Sequence, residues 1–157
     1  MVKFFGVCNG KLDDKGRIVL PAVFKSALAA EAKDGQAPDM RLMVRKDIYA
    51  GCLEIYSWAE WESLTEKILS RLDVVFNKTH AEFWRKFMDG CAAVTPDEKY
   101  GRLSIPKELL DRIGVTKEVV FAGVGYKIEL WAKERRSESL ISEQEYEATA
   151  VELSSQR

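Results

Sequence analysis

Residues 13–24 read DDKGRIVLPAVF, and residues 98–109 read EKYGRLSIPKEL. In each, a Gly-Arg pair follows charged turn residues, a short apolar run comes next, and a proline opens a helix-forming stretch. Arg17 and Arg102 stand 85 residues apart. The elements around them repeat too. In the first copy, FFGVCNGKL reads as an imperfectly alternating strand through Phe5, Val7 and Leu12. DDKG reads as a tight turn in which Gly16 takes positive φ and Asp13 or Asp14 accepts turn amides. RIVL then resumes as the second strand of a hairpin. Pro21 suits the first turn of a helix, where its missing N–H would be unpaired anyway, and AVFKSALAAEA continues it. After the loop KDGQAPD come two more strands, MRLMVR and CLEIYS.

The second copy repeats that order. CAAVTPDEKYGRLSI supplies strand, turn and strand; PKELLDRI is a helix begun by Pro106 and stopped near Gly114. EVVFAGVGYKIELW is a closing hairpin turned around Gly123 and Gly125, and its IELW answers LEIY of the first copy. A strand–strand–helix–strand–strand unit this small buries too little surface to be stable alone. Two copies in one chain can close a shared α+β barrel with pseudo-two-fold symmetry. The repeats are placed at residues 1–58 and 91–135, joined by connecting helices over 59–90.

Those helices carry their own signals. Ser57 and Glu60 form a capping box, and Trp58, Trp61, Leu64, Ile68 and Leu72 lie along one face. The next helix pairs Phe83 with Phe87 and Trp84 with Met88, with Gly90 as its stop. Aromatics at helical spacing read as core packing rather than as platforms for bases. Residues 136–157 are Glu-rich. Ser142 and Glu145 make a second capping box there, so this tail is either a helix or an exposed, loosely attached segment.

Composition narrows the chemistry. Hydrophobic residues at 46% and charged residues at 31% describe a globular protein, and the formal net charge of -1 announces no nucleic-acid partner. The first residues regain charge too soon for a signal peptide, and no apolar run is long enough to span a membrane. Three scattered cysteines without a CxxC pair argue against zinc or a disulfide framework and fit a reducing cytoplasm. His80 stands alone on a helical stretch, so a surface or half-buried position suits it better than a catalytic one. Paired acids such as Asp13/Asp14, Glu60/Glu62 and Asp97/Glu98 fit capping or solvation. GVGYK lacks the trailing glycine and strand–turn–helix setting of a phosphate loop. No catalytic residue, metal site, cofactor or small-molecule substrate is expected.

Charge is nevertheless uneven. Up to Lys25 there are five cations (Lys3, Lys11, Lys15, Arg17, Lys25) against Asp13 and Asp14, whereas from Glu134 onward acids outnumber cations six to three. An arginine just past a hairpin turn offers a rigid five-donor fork suited to phosphate oxygens or a guanine edge. The bland reading stands beside it: Asp13 and Arg17 face each other across one turn and can simply pair.

LDDKGRIVLP and its echo YGRLSIP, followed by CLEIYSWAEW and KIELWAKE, closely resemble the MraZ family, the tandem SpoVT/AbrB-like transition regulators, over about residues 1 to 135. The resemblance implies a swapped-hairpin AbrB-like β-barrel built from two ββαββ repeats. It also implies a homo-oligomeric ring and sequence-specific binding to double-stranded DNA, at short direct repeats upstream of the protein's own gene in a division and cell-wall cluster, usually as a repressor. It places the chain in the cytoplasm at the nucleoid. The family's DxxxR signature falls on Asp13 and Arg17, with Lys15 between them. By this reading Arg17, Lys15, Lys11, Lys3, Arg102 and Lys99 contact DNA, and Asp13, Gly16, Glu98 and Gly101 support the motif. The second copy departs from the pattern with Glu98 and Tyr100, which leaves its hairpin free to bind phosphate less well, to meet a neighbouring subunit, or only to complete the barrel. The alternative to a DNA reader is a ring-forming scaffold that acts through protein partners.

Overall fold

The computed structural model describes residues 4–156. Strand β1 (Phe4–Lys11) and strand β2 (Ile18–Val19) flank the first Gly-Arg turn. Helix α1 (Ala22–Ala30) follows Pro21 and turns Phe24 and Leu28, one helical turn apart, into the core. Strands β3 (Leu42–Lys46) and β4 (Leu53–Ser57) lead into helices α2 (Trp58–Ser70) and α3 (Lys78–Met88). The second copy runs β5 (Ala92–Val94), β6 (Arg102–Leu103), α4 (Lys107–Arg112), β7 (Glu118–Gly125) and β8 (Ile128–Ala132). A 3-10 segment, Lys133–Ser139, then precedes α5 (Glu143–Ser155).

The result is a mixture of helices and antiparallel sheet. Six strands pair in the order β1-β7-β8-β4-β3-β5, and β2 pairs with β6 in a separate two-stranded ribbon. Pairing runs between the copies as much as within them. The opening strand of each copy lies against the third strand of the other, β1 on β7 and β5 on β3. Equivalent strands meet each other in β4·β8 and β2·β6.

Among the described residues the expected closed barrel is not formed. β1 and β5 are the two edges of the sheet, and the β2·β6 ribbon is tied to β1 by the single bridge Leu12–Ile18. The reason lies in the turns. After each Gly-Arg pair little chain remains extended before Pro21 or Pro106, and proline removes the donor a further ladder bond needs. For the same reason RIVL pairs back toward β1 only at the turn, through the Leu12–Ile18 bridge and the Asp13 N–H to the Arg17 carbonyl at 2.8 Å. It contributes Ile18 and Val19 to a ribbon with the other copy, and Leu20 donates its N–H to the Gly101 carbonyl at 2.8 Å.

Alternation along the strands divides the residues between two layers. Leu42, Val44, Leu53, Ile55, Ile128 and Leu130 face the main core, with α1, α4 and the ribbon behind them. Phe24 packs edge-on against Phe4 (5.9 Å) and tilted against Phe121 (6.2 Å). Met43 and Tyr56, on the opposite sheet face, pack with Trp61 and Phe87 and with the flanking Trp58, Leu64, Ile68 and Trp84. Trp61 stacks on Phe87 at 6.0 Å and 3°, and Trp84 on Phe87 at 5.6 Å. The helical aromatics are thus a second core. The closing hairpin turns at Gly125–Tyr126, where the Val124 N–H donates to the Lys127 carbonyl at 3.0 Å, so of the two expected glycines Gly125 makes the turn. Gly125 takes φ +93° there, while Gly123 lies within β7, where an added Cβ would come within 2.6 Å of the Phe4 backbone.

Helix α2 begins where the capping box predicts, with Ser57 accepting the Glu60 N–H at 3.3 Å. Ser142 caps α5 by accepting the Glu145 N–H at 3.1 Å. The tail is therefore helical over Glu143–Ser155, and none of the side chains in that helix is buried. No described helix is long and apolar enough to cross a membrane.

Candidate nucleic-acid interface

Each Gly-Arg turn is organised by one aspartate. In the first, Asp13 Oδ1 accepts the backbone N–H groups of Lys15 (2.9 Å) and Arg17 (2.8 Å), and Oδ2 accepts Arg17 Nε at 2.9 Å. The backbone closes the loop through Asp13 N–H to the Arg17 carbonyl and Gly16 N–H to the Asp13 carbonyl. Gly16 takes φ +76°, a region disfavoured for residues with a Cβ. In the second turn Asp97 Oδ1 accepts the Tyr100 N–H (2.7 Å), and Oδ2 accepts both the Arg102 N–H (3.1 Å) and Nε (2.7 Å). Gly101 takes φ +69°.

The second turn corrects one expectation. Glu98, expected to support the motif, is exposed and does not hold the arginine; Asp97 does. The turn is one residue longer than the first, so the carboxylate that reaches Arg102 Nε stands five residues before it rather than four. The two arginines nevertheless end equivalently, each side chain 26% exposed beside an aspartate 35% exposed. Only Nε is engaged. The Nη groups of Arg17 and Arg102 have no partner among the described residues, leaving the planar end of each fork for an external acceptor.

These bonds act on acidity. The Arg17 backbone N–H, followed by the Lys15 N–H and the Arg17 guanidinium, holds the Asp13 carboxyl below the ordinary 3.8. The Arg102 guanidinium does the same to Asp97, more strongly. Arg102 is raised in turn by Asp97, with Asp13 across the ribbon contributing. The two turns therefore feel each other's charge.

Around them the cations are distributed unequally. Lys15 and Lys99 are exposed at the turn tips, and Lys99 and Arg102 both lie over the Tyr100 ring, at 5.1 and 4.7 Å. Lys11 ends β1 opposite Glu118. Lys3 lies outside the described residues. Lys25, from α1 of the first copy, comes close to Gly101 of the second turn: an added Cβ there would lie 3.7 Å from its Nζ. Sequence spacing gives no hint of that approach, because it depends on the exchange of partners between the copies.

Other sites recruit less chemistry. His80 Nδ1 accepts the Asp73 N–H at 2.9 Å, closing the link between α2 and α3. Asp47, Cys52 and Glu129 place ligand-type atoms within 4.8 Å of one another. However, Lys127 Nζ already pairs with Asp47 (3.3 Å) and lies 3.8 Å from Glu129, and burial pushes the Cys52 thiol up to about 12. That group fits a cation poorly, since the chain supplies its own.

Paired aspartate-anchored arginine turns at the ribbon between two interleaved copies place the chain in the class of tandem-repeat proteins with a duplicated DxxxR-type turn. Comparison with known families narrows the class. The model of the family described as "MraZ protein, putative antitoxin-like" matches residues 4–82 and 87–153, and the chain belongs to that family. It is 34% identical over 153 residues to Transcriptional regulator MraZ of Bacteroides thetaiotaomicron, covering 98% of this chain and 93% of the relative. The protein of the same name from Bacteroides fragilis strain ATCC 25285 is 33% identical over 153 residues, covering 98% and 92%. That of Clostridium acetobutylicum is 32% identical over 151 residues, covering 96% of each chain.

Proposed function

We propose that this chain is a DNA-binding transcription regulator, not an enzyme, that reads double-stranded DNA with its two aspartate-anchored arginine turns. The observation that carries the reading is the pair of arginine forks held by Nε alone, with their Nη groups unengaged at the surface. Relatives of similar length that bear the name Transcriptional regulator MraZ support it. Arg17 and Arg102 are the primary contacts; Lys15, Lys11, Lys3 and Lys99 add phosphate contacts, and Asp13, Gly16 and Gly101 hold the geometry. We read the fold as an opened form of the swapped-hairpin arrangement of tandem AbrB-like repeats at residues 1–58 and 91–135, joined by helices over 59–90 and followed by an acidic tail, 136–157; the pairing of β1 with β7 and of β5 with β3 supports that reading.

One turn with two or three cations binds DNA weakly and with little discrimination. A homo-oligomeric ring repeats the turn, so several short direct repeats are engaged at once and effective concentration turns weak contacts into avidity. The outer face of β1 supports self-association: Phe5 is 71% exposed and Val7 63%, beside Val124 on β7, along an edge strand of eight residues. The targets are repeats upstream of the chain's own gene in a division and cell-wall cluster, and the effect is repression in the cytoplasm at the nucleoid.

Fluorescence anisotropy on DNA from directly upstream of the gene, against scrambled DNA and across a salt series, tests the reading. Arg17→Ala is expected to weaken binding to the upstream DNA by about tenfold or more while the protein stays folded and oligomeric. Equal, weak binding to both DNAs, unmoved by Arg17→Ala and Arg102→Ala, would leave the turns structural.

A further inference from the structure

A cavity of about 470 Å³ opens between α3, the end of β3 with the loop after it, and α4. Phe83 and Phe87 give it an aromatic wall, and Phe83 is partly open to solvent. Both signs of charge line it, but they are not equally free. Asp47 accepts the N–H groups of Tyr49 and Ala50 at 2.8 Å each and pairs with Lys127. Glu82 pairs with Lys78 at 3.6 Å. Asp89, at the end of α3, is the remaining acid.

The cations are less engaged. Lys46 Nζ donates to the carbonyls of Asp47 and Ala50 and has no carboxylate partner among the described residues. Lys86 has no ion pair among them, and Arg112 reaches Glu108 only at 3.4 Å. Arg45 is the decisive residue. It is more than nine-tenths buried, donates through Nη1 to Glu54 at 2.8 Å, and lies 4.0 Å over the Phe87 ring. Its Nε is buried without an acceptor. Its charge, held off from water, raises the positive potential of the cavity wall.

We propose that this cavity binds a small aromatic acid, a flat ring bearing a carboxylate or phosphate. The ring packs against Phe83 beside Phe87, and the anionic group is drawn to Lys86 and Arg112, with the buried Arg45 guanidinium adding positive charge behind the aromatic wall. The volume lies within the ordinary range for small-ligand pockets, and an apolar wall with a few converging polar groups is their usual make-up. None of these residues belongs to the Gly-Arg turns, so the binding step stands apart from the DNA-reading role.

The test titrates the full chain by calorimetry and heteronuclear NMR with four probes: phenyl phosphate, benzoate, inorganic phosphate and phenol. Phenyl phosphate or benzoate is expected to bind at least about tenfold more tightly than the matching fragments, because ring and anion act together. Shift changes should centre on Phe83, Lys86 and Phe87. Lys86→Glu, at an exposed position, should abolish that advantage, and Phe83→Ser should reduce phenyl phosphate to the affinity of inorganic phosphate. Whichever acid binds more tightly identifies the anion. A parent protein that binds neither phenyl phosphate nor benzoate more tightly than inorganic phosphate and phenol would overturn the proposal. So would shift changes confined to other surfaces, indifference to Lys86→Glu, or no binding of any probe up to about 10 mM.

Discussion

At the level of single residues, Asp13 and Asp97 do two tasks at once. Each satisfies turn amides and orients an arginine, so the guanidinium plane is fixed before any ligand arrives. Arg17→Lys keeps the charge but loses the planar fork. It is expected to leave the salt dependence of DNA binding nearly intact while removing most of the preference for upstream over scrambled DNA, as measured by paired anisotropy titrations. Acidity carries a second prediction. Both carboxyls lie below the ordinary aspartate value of 3.8. A carboxylate favoured in the folded chain contributes stability above the unfolded-chain value, and that contribution is lost as pH falls through the folded value. The turns should therefore hold through the ordinary titration range and release only at more acid pH. A carbon-13 titration of the aspartate carboxyls checks this, and a midpoint at or above 3.8 for either residue would contradict it.

Among elements, the sheet depends on two arrangements that act in opposite ways. Gly123 lets β1 and β7 approach, since a Cβ there would press on the Phe4 backbone rather than on a movable side chain. Gly123→Ala is expected to destabilise the protein by about 3 kcal/mol in urea unfolding, the upper range for overpacking. Gly16→Ala meets no neighbour and costs only its left-handed backbone, about 1–2 kcal/mol in the same measurement. On the outer sheet face, Glu54 and Glu129 are directly opposed across β4 and β8. Lys127 relieves that opposition by donating to Glu54 at 2.6 Å, and Tyr56 OH donates to the same Glu54 oxygen at 2.7 Å. Burial works against the Lys127 charge, yet the Glu54 hydrogen bond overrides it and raises the amine above its ordinary value. Lys127→Met should cost about 3 kcal/mol or more, since it leaves two carboxylates facing each other.

What could be read from the residues follows from how local each signal is. Prolines, capping serines and glycines act within a few positions, so α1, α2, α4 and α5 start where Pro21, Ser57, Pro106 and Ser142 place them. The Asp13–Arg17 pair was likewise within reach of one turn. Asp97 escaped because a one-residue lengthening shifts the partner away from the repeated pattern. The Lys25 approach, the ribbon and the open sheet were out of reach for a different reason. They depend on which copy each strand chooses, and two similar copies present nearly interchangeable partners. The buried network of Arg45, Glu54 and Lys127 was hidden by the rule that charges lie outside, which fails where ions satisfy one another.

For the whole molecule, neither copy is a separable unit, because their strands pair reciprocally. The α5 helix stands outside this arrangement, with no buried side chain. Removing residues 143–157 is expected to leave the melting temperature within about 2 °C of the parent, a shift that circular dichroism resolves. The exposed β1 face behaves differently if it joins subunits. Phe5→Glu with Val7→Lys should shift light-scattering mass toward the monomer with little change in melting, and DNA affinity should fall with it even though Arg17 is intact.

The pairing of β1 with β7 also has a consequence on the ribosome. The partner of Phe4–Lys11 is Glu118–Gly125. At ordinary translation rates roughly a hundred residues take about 5–20 s to emerge. Throughout that interval an apolar strand with no partner waits outside the exit tunnel, while every nearby polysome offers an identical one. The nascent chain is thus most open to mispairing with its siblings before its own second half exists, and trigger-type chaperones that shield the first residues should matter more for its yield than for its final stability.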